Sequence, residues 1–214
     1  MIVTGKTKEV RFEGRELLVM NQRCPEWTHS YAYQGNGENM HDAACGVFAI
    51  VHCVEWMTGQ RWDPCQMVDY SMSHGGRGPD GTDRPTLLAV MQADGQAERM
   101  GFRYGYDRHL NDSDLLFEHI QSGGTALCNL RSGHIVALVK SRVEKGERQL
   151  LAIDSYSESA HEKVRDSVRE VIPGSEIVAA VRNEAGLETG YVENYSVFWV
   201  DAALPRDFNL LHKL

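Results

Sequence analysis

The sequence predicts an α+β fold of a single domain. Apolar residues recur at helical spacing through roughly residues 40–123, β-branched and period-two runs dominate 124–214, and no internal repeat or low-complexity tract interrupts either half. With 214 residues and a hydrophobic content of 42%, the chain is long and apolar enough for one sizeable core.

The elements follow in order. Residues 1–22 read as an N-terminal hairpin, Lys8–Phe12 against Glu16–Met20, broken at Gly14. Asn21 to Met40 carries Pro25, Gly35, Gly37 and polar aromatics without a period, which predicts a long ordered loop of the kind that lines sites. Asp42 stands as N-cap candidate before an amphipathic helix whose apolar stripe is Val47, Ile50, Val51, Val54 and Met57; His52 and Glu55 lie off the stripe and Gly59 is the stop. Asp63-Pro64 sets an N-cap with proline at the first helical position for a short helix through Met72. A glycine loop from Gly75 to Gly81 follows, then a helix from about Pro85 breaking near Gly95, and another from Ser113 to Gly123. Strands are expected at Thr125–Leu130, His134–Lys140, Arg148–Asp154, Glu176–Val181 and Tyr195–Val200, with a turn over Ser141–Glu147 and one polar helix over Ser159–Glu170.

Bulk properties narrow the partners. A formal net charge of −8 argues against a phosphate-neutralising surface, so no nucleic acid is expected. The start turns charged before any apolar stretch could form a signal peptide, and no later run is long enough to span a bilayer, which predicts a cytoplasmic chain with no membrane partner. Delivery by a route without a cleaved signal leaves no such trace and stays open. The five cysteines (Cys24, Cys45, Cys53, Cys65, Cys128) lack CxxC pairs or a zinc rhythm, so reduced thiols and no metal are expected. The loop Gly75–Gly81 lacks a GK[ST] ending, and no nucleotide or other cofactor is assigned. His41, His74 and Asp42 have no metal-ligand spacing.

Cys45 carries the chemical signal. A thiol in the first turn of a helix faces backbone N–H groups without intrahelical partners and the positive end of the macrodipole, both of which favour thiolate. Most free cysteines are simply buried, and Cys53, Cys65 and Cys128 fit that reading; Cys24 fits either. Of the nine histidines, His134 alone directly precedes a strongly β-forming run, where a rigid scaffold can hold an imidazole, although a histidine there can also be a plain strand cap. Asp154 leaves the next strand, a place where aspartate is often only a turn residue. If the two strands pair antiparallel, His134 and Asp154 fall at the same open end, and the carboxylate can fix the imidazole tautomer.

Cys45-Gly46 opening a helix, Gly133-His134 heading an apolar strand and Ile153-Asp154 closing the next resemble the papain-like cysteine peptidases, most closely the branch that includes the bacteriocin double-glycine leader peptidases. The resemblance spans roughly Gln34 to Ser157. It implies a papain-like fold and a Cys45–His134 pair oriented by Asp154, acting on a peptide or protein substrate through a thioester. Such enzymes carry a glutamine shortly before the cysteine to bind the oxyanion. Here the matching position is Asn39, which serves equally as a loop or capping asparagine, while Gln34 reaches the site only if the loop folds back. Glutamine deamidation or acyl transfer by the same triad, and a non-catalytic peptide-binding module on the same fold, are the alternatives.

Overall fold

The structure is a computed structural model and describes residues 7–107, 110–129, 134–155, 177–182, 188–194, 197–203, 205 and 207–214. β1 (Thr7–Phe12) and β2 (Arg15–Met20) form the expected hairpin, turning through Glu13 (φ 47°) and Gly14 (φ 78°). Positive φ at both central residues is what a type I′ hairpin turn requires, and glycine adopts it without a Cβ penalty.

After the loop come α1 (Met40–Ala43), α2 (Cys45–Thr58) and α3 (Pro64–Ser73). The hairpin β3 (Arg77–Gly78) and β4 (Gly81–Thr82) then leads to α4 (Arg84–Ala93), α5 (Gln96–Arg99), β5 (Phe102–Tyr104) and α6 (Ser113–Gln121). The strands β6 (Thr125–Asn129), β7 (Ile135–Glu144), β8 (Glu147–Ile153), β9 (Ile177–Arg182), β10 (Glu188–Asn194), β11 (Val197–Asp201) and β12 (Phe208–Lys213) complete the order. Asn39, Asp63, Asp83 and Asp112 cap α1, α3, α4 and α6, each side-chain oxygen accepting from an otherwise orphaned N–H.

Six strands make one antiparallel sheet in the order β11-β8-β7-β6-β12-β5. Strand alternation divides its residues between two cores. Ile135, Ala137, Leu151, Ile153 and Trp199 face α2, α4 and the β1–β2 hairpin, while Val136, Leu138, Leu150, Ala152 and Phe198 face Leu116, Phe117 and Ile120 of α6. The chain is therefore α+β, with helices on both faces of an antiparallel sheet. Among the described residues no helix is long and apolar enough to cross a membrane.

Several expectations are corrected. Asp42 does not cap the cysteine helix: Ala44 separates α1 from α2, and Asp42 instead closes a capping box with Asn39. His52 and Glu55, expected off the buried stripe, are 2% and 6% exposed, because α2 is buried nearly all round. Their burial has a specific cause. The β2 amides of Leu18 and Met20, two residues apart along the strand, donate to Glu55 Oε1 (3.0 Å) and His52 Nε2 (3.1 Å), which lie one helical turn apart. Helix side chains thus satisfy strand-edge donors that burial would otherwise orphan. The glycine loop contains the β3–β4 hairpin, and the turn after β7 is confined to Lys145 and Gly146, both at positive φ. β5, β10 and β12 have no counterpart in the sequence reading. The expected helix Ser159–Glu170 lies outside the described residues.

Candidate functional site

Cys45 is the first residue of α2, Ala44 before it offers no side-chain cap, and the Gly46 N–H of the first turn favours the thiolate. The helix start is held by close approach. A Cβ on Gly46 would lie 2.6 Å from Thr82 Cβ, so only glycine lets α2 meet β4 at this point. Thr82 Oγ1 in turn bonds the Tyr31 hydroxyl (3.0 Å), which also bonds Ser71 Oγ (2.8 Å). Buried Arg77 donates from Nε to Tyr31 O (2.7 Å) and pairs with Glu38, fastening the 21–39 loop to the β3–β4 hairpin. Trp27 packs edge-on against Phe48 at 5.5 Å, and both Trp27 and Tyr31 are core residues. As a result Cys45 is only 7% exposed, more enclosed than a thiol at an open loop–helix junction.

His134 immediately precedes β7 and Asp154 immediately follows β8. The pairing Ala137↔Ile153 brings both to one end of the sheet, and His134 Nε2 meets Asp154 Oδ1 at 2.6 Å. The imidazole is also near enough to the Cys45 thiol for each to shift the titration of the other. With Nε2 committed to the carboxylate, Nδ1 is the ring nitrogen left for the sulfur. The three predicted residues thus converge, His134 between Cys45 and Asp154, and His134 and Asp154 are 2% and 0% exposed.

The electrostatics follow from the arrangement. Burial pushes the Cys45 thiol up, but the hydrogen bond and charge of His134, helped by the backbone N–H groups of Ile135 and Gly46, outweigh it and leave the thiol below its ordinary value. Burial pushes His134 down, but the charge and hydrogen bond of Asp154, and then Cys45, raise it to about 9. Both shifts run in the direction of a thiolate–imidazolium pair backed by a buried carboxylate.

The expected amide donors have contacts of their own. Asn39 Oδ1 accepts from His41 N–H (2.9 Å) as the cap of α1, so of its two readings the capping one describes its contacts. Gln34 sits in an exposed turn at φ 49° and donates to the Tyr33 hydroxyl (3.3 Å); the loop does not fold it back. Sequence reasoning missed Gln22, which is fully buried. Its Nε2 donates to Met40 O and His41 O (3.4 Å each), just upstream of Cys45, and its Oε1 accepts from Ser155 Oγ (3.0 Å), beside Asp154. Gln22 stands too far before Cys45 for a spacing rule to find it.

His52 was also missed. Its Nε2 accepts from Met20 N–H, which puts the ring proton on Nδ1, a buried atom with no hydrogen-bond partner among the described residues. Burial lowers His52 to about 4, against the opposing pull of Asp154, so it is neutral at pH 7. Among the described residues no group of three or more His, Cys, Asp or Glu side chains is placed to hold a metal ion. No family model, curated protein or solved structure matches the chain.

Proposed function

We propose that the chain is a cysteine-dependent amide hydrolase of the peptidase kind, on a papain-like arrangement of a cysteine helix against an antiparallel sheet. The observation that carries this reading is the file Cys45–His134–Asp154, with the imidazole raised to about 9 and the thiol lowered. Cys45 thiolate attacks the amide carbonyl carbon, and the oxyanion forms against backbone N–H groups at the start of α2. His134 gives its Nδ1 proton to the departing nitrogen, the C–N bond breaks and a thioester remains. Neutral His134 then takes a proton from water, whose oxygen attacks the thioester and expels the thiolate. Asp154 holds the imidazole orientation throughout, and Gln22 ties the segment after Asp154 to the segment before Cys45. Five cysteines free of disulfides fit a reducing compartment such as the cytoplasm.

The test is hydrolysis of a fluorogenic peptide-amide library by wild type and by Cys45→Ser. Release of fluorophore that Cys45→Ser abolishes supports the reading, and equal rates in the two overturn it. Ammonia released from glutamine peptides in place of chain cleavage converts the assignment to deamidation.

A further inference from the structure

β7 is longer than the strand beside it. β6 pairs with Ile135 to Leu138, whereas β8 continues opposite β7 as far as Glu144↔Glu147. Beyond Leu138 one edge of β7 therefore has no strand neighbour among the described residues. In a strand, N–H and C=O groups point alternately to the two sides, so about every second residue from Val139 to Val143 turns a donor and an acceptor to that edge. The edge of β2 solves the same problem with His52 and Glu55; that of β7 opens on a cleft of about 450 Å³.

Val139 to Val143 line the cleft, with Arg15 and Trp56 on the hairpin side and Phe117 and Ile120 on the α6 side. Its charge runs against that of the chain. Arg15 stacks over Trp56, donates to Trp56 O (3.0 Å) and has no carboxylate partner among the described residues, while Lys140 pairs with Glu13 and Arg142 reaches across β8 to Gln149 (2.8 Å) and Trp199. Val143, 60% exposed, adds an apolar rim.

We propose that this cleft binds an extended acidic peptide segment of a partner protein as an added strand on β7. The edge left open among the described residues selects an extended backbone, Arg15 selects a carboxylate, and Trp56 and Val143 select apolar residues beside it. Trp56 and Cys45 lie near opposite ends of α2, about 16 Å apart along its axis, so the residues seated in the cleft are not those attacked by the thiol.

Fluorescence anisotropy tests this with a labelled peptide of about ten residues alternating Glu and Val, a Lys/Val counterpart, and a Glu/Val peptide N-methylated at alternate residues. The Glu/Val peptide binds wild type and Cys45→Ala alike, and N-methylation removes the binding. Arg15→Glu weakens it by about tenfold or more. Should that variant fail to fold, Val143→Asp at the exposed rim gives the same test by repulsion. Equal binding of the Lys/Val or N-methylated peptide, or no binding of Glu/Val at roughly millimolar concentration, overturns the proposal. A dimer dissolved by the charge reversal overturns it in favour of a second copy as occupant. Binding is read without turnover, so none of these outcomes bears on the hydrolase reading.

Discussion

Cys45 and Cys53 are buried on the same helix, about two turns apart, and their thiols are driven in opposite directions. Burial raises both. Cys53 donates to the Ala126 carbonyl (3.6 Å) among neutral neighbours and is pushed up to about 12. Cys45 has His134, and falls below its ordinary value. The two histidines around Asp154 repeat the contrast: His134, bonded to the carboxylate, rises to about 9, and His52, bonded through Nε2 to a backbone N–H, drops to about 4. Desolvation is common to all four groups. What separates them is whether a charged partner stands within hydrogen-bond reach.

The largest break in this contrast comes from His134→Ala. At pH 6 the thiolate of Cys45 alkylates with iodoacetamide while Cys53 does not, as mass mapping of the folded protein will show. Removing the imidazole leaves burial to raise the thiol unopposed by a charge, so the labelling rate of Cys45 falls by about tenfold or more. If Cys45 and Cys53 label at the same slow rate in the wild type, the thiolate–imidazolium pair does not exist.

Asp154→Asn keeps the shape and removes the charge. Burial then wins at His134, the imidazole becomes neutral near pH 7, and the alkaline limb of thiolate–imidazolium chemistry moves down from about 9. The sign for stability follows. A pKa raised on folding stabilises fully below the unfolded value near 6.5, and that contribution disappears as pH rises through about 9. Wild type therefore exceeds the variant by on the order of 3 kcal/mol at pH 6, converging above pH 9, in urea melts across that range. A pH-independent difference would mean that the carboxylate acts on His134 by shape alone.

His52→Gln, which keeps an acceptor for Met20, probes the opposite case. A histidine whose pKa is lowered on folding contributes stability that is complete above 6.5 and is lost as pH falls through about 4. Wild type should lose on the order of 2–3 kcal/mol over that interval through this group, and the variant's acid slope should be shallower by that amount. Parallel acid slopes would show that His52 is not kept neutral by burial.

What the sequence disclosed divides along the same line between local and distant partners. The hairpin β1–β2, the Asp63-Pro64 start of α3, the Gly59 stop of α2 and the adjacency of His134 to Asp154 were all legible, because each is settled by residues close in the chain. β12 was not: Phe208–Lys213 becomes a strand by insertion between β6 and β5, neither of which is near it in sequence. His52 and Glu55 looked like a polar face since the strand amides they satisfy lie on β2, more than thirty residues earlier. Gln22 escaped for the same reason, being joined to Ser155 only by folding. Asp42 was misplaced by one helix because the short turn α1 imitates the start of α2.

The smallest effect concerns how firmly the Cys45 end of α2 is anchored relative to the Cys53 end. In Gly46→Ala the new Cβ meets Thr82 Cβ at 2.6 Å and Cγ2 at 2.8 Å, so the helix start must move by some tenths of an ångström or Thr82 must give way. Overpacking costs about 1–3 kcal/mol, and the better helix propensity of alanine returns up to about 1 kcal/mol, leaving a net loss near 1 kcal/mol. Thr82→Gly removes every contacting atom, and a double-mutant cycle should recover most of the clash energy although the bond to Tyr31 is gone. Labelling of Cys45 at pH 6 should slow a few-fold in Gly46→Ala and recover in the double variant, while Cys53, beyond the first turns of the same helix, stays inert in all of them. A clash energy that the double variant does not relieve would place the strain somewhere other than the α2–β4 contact.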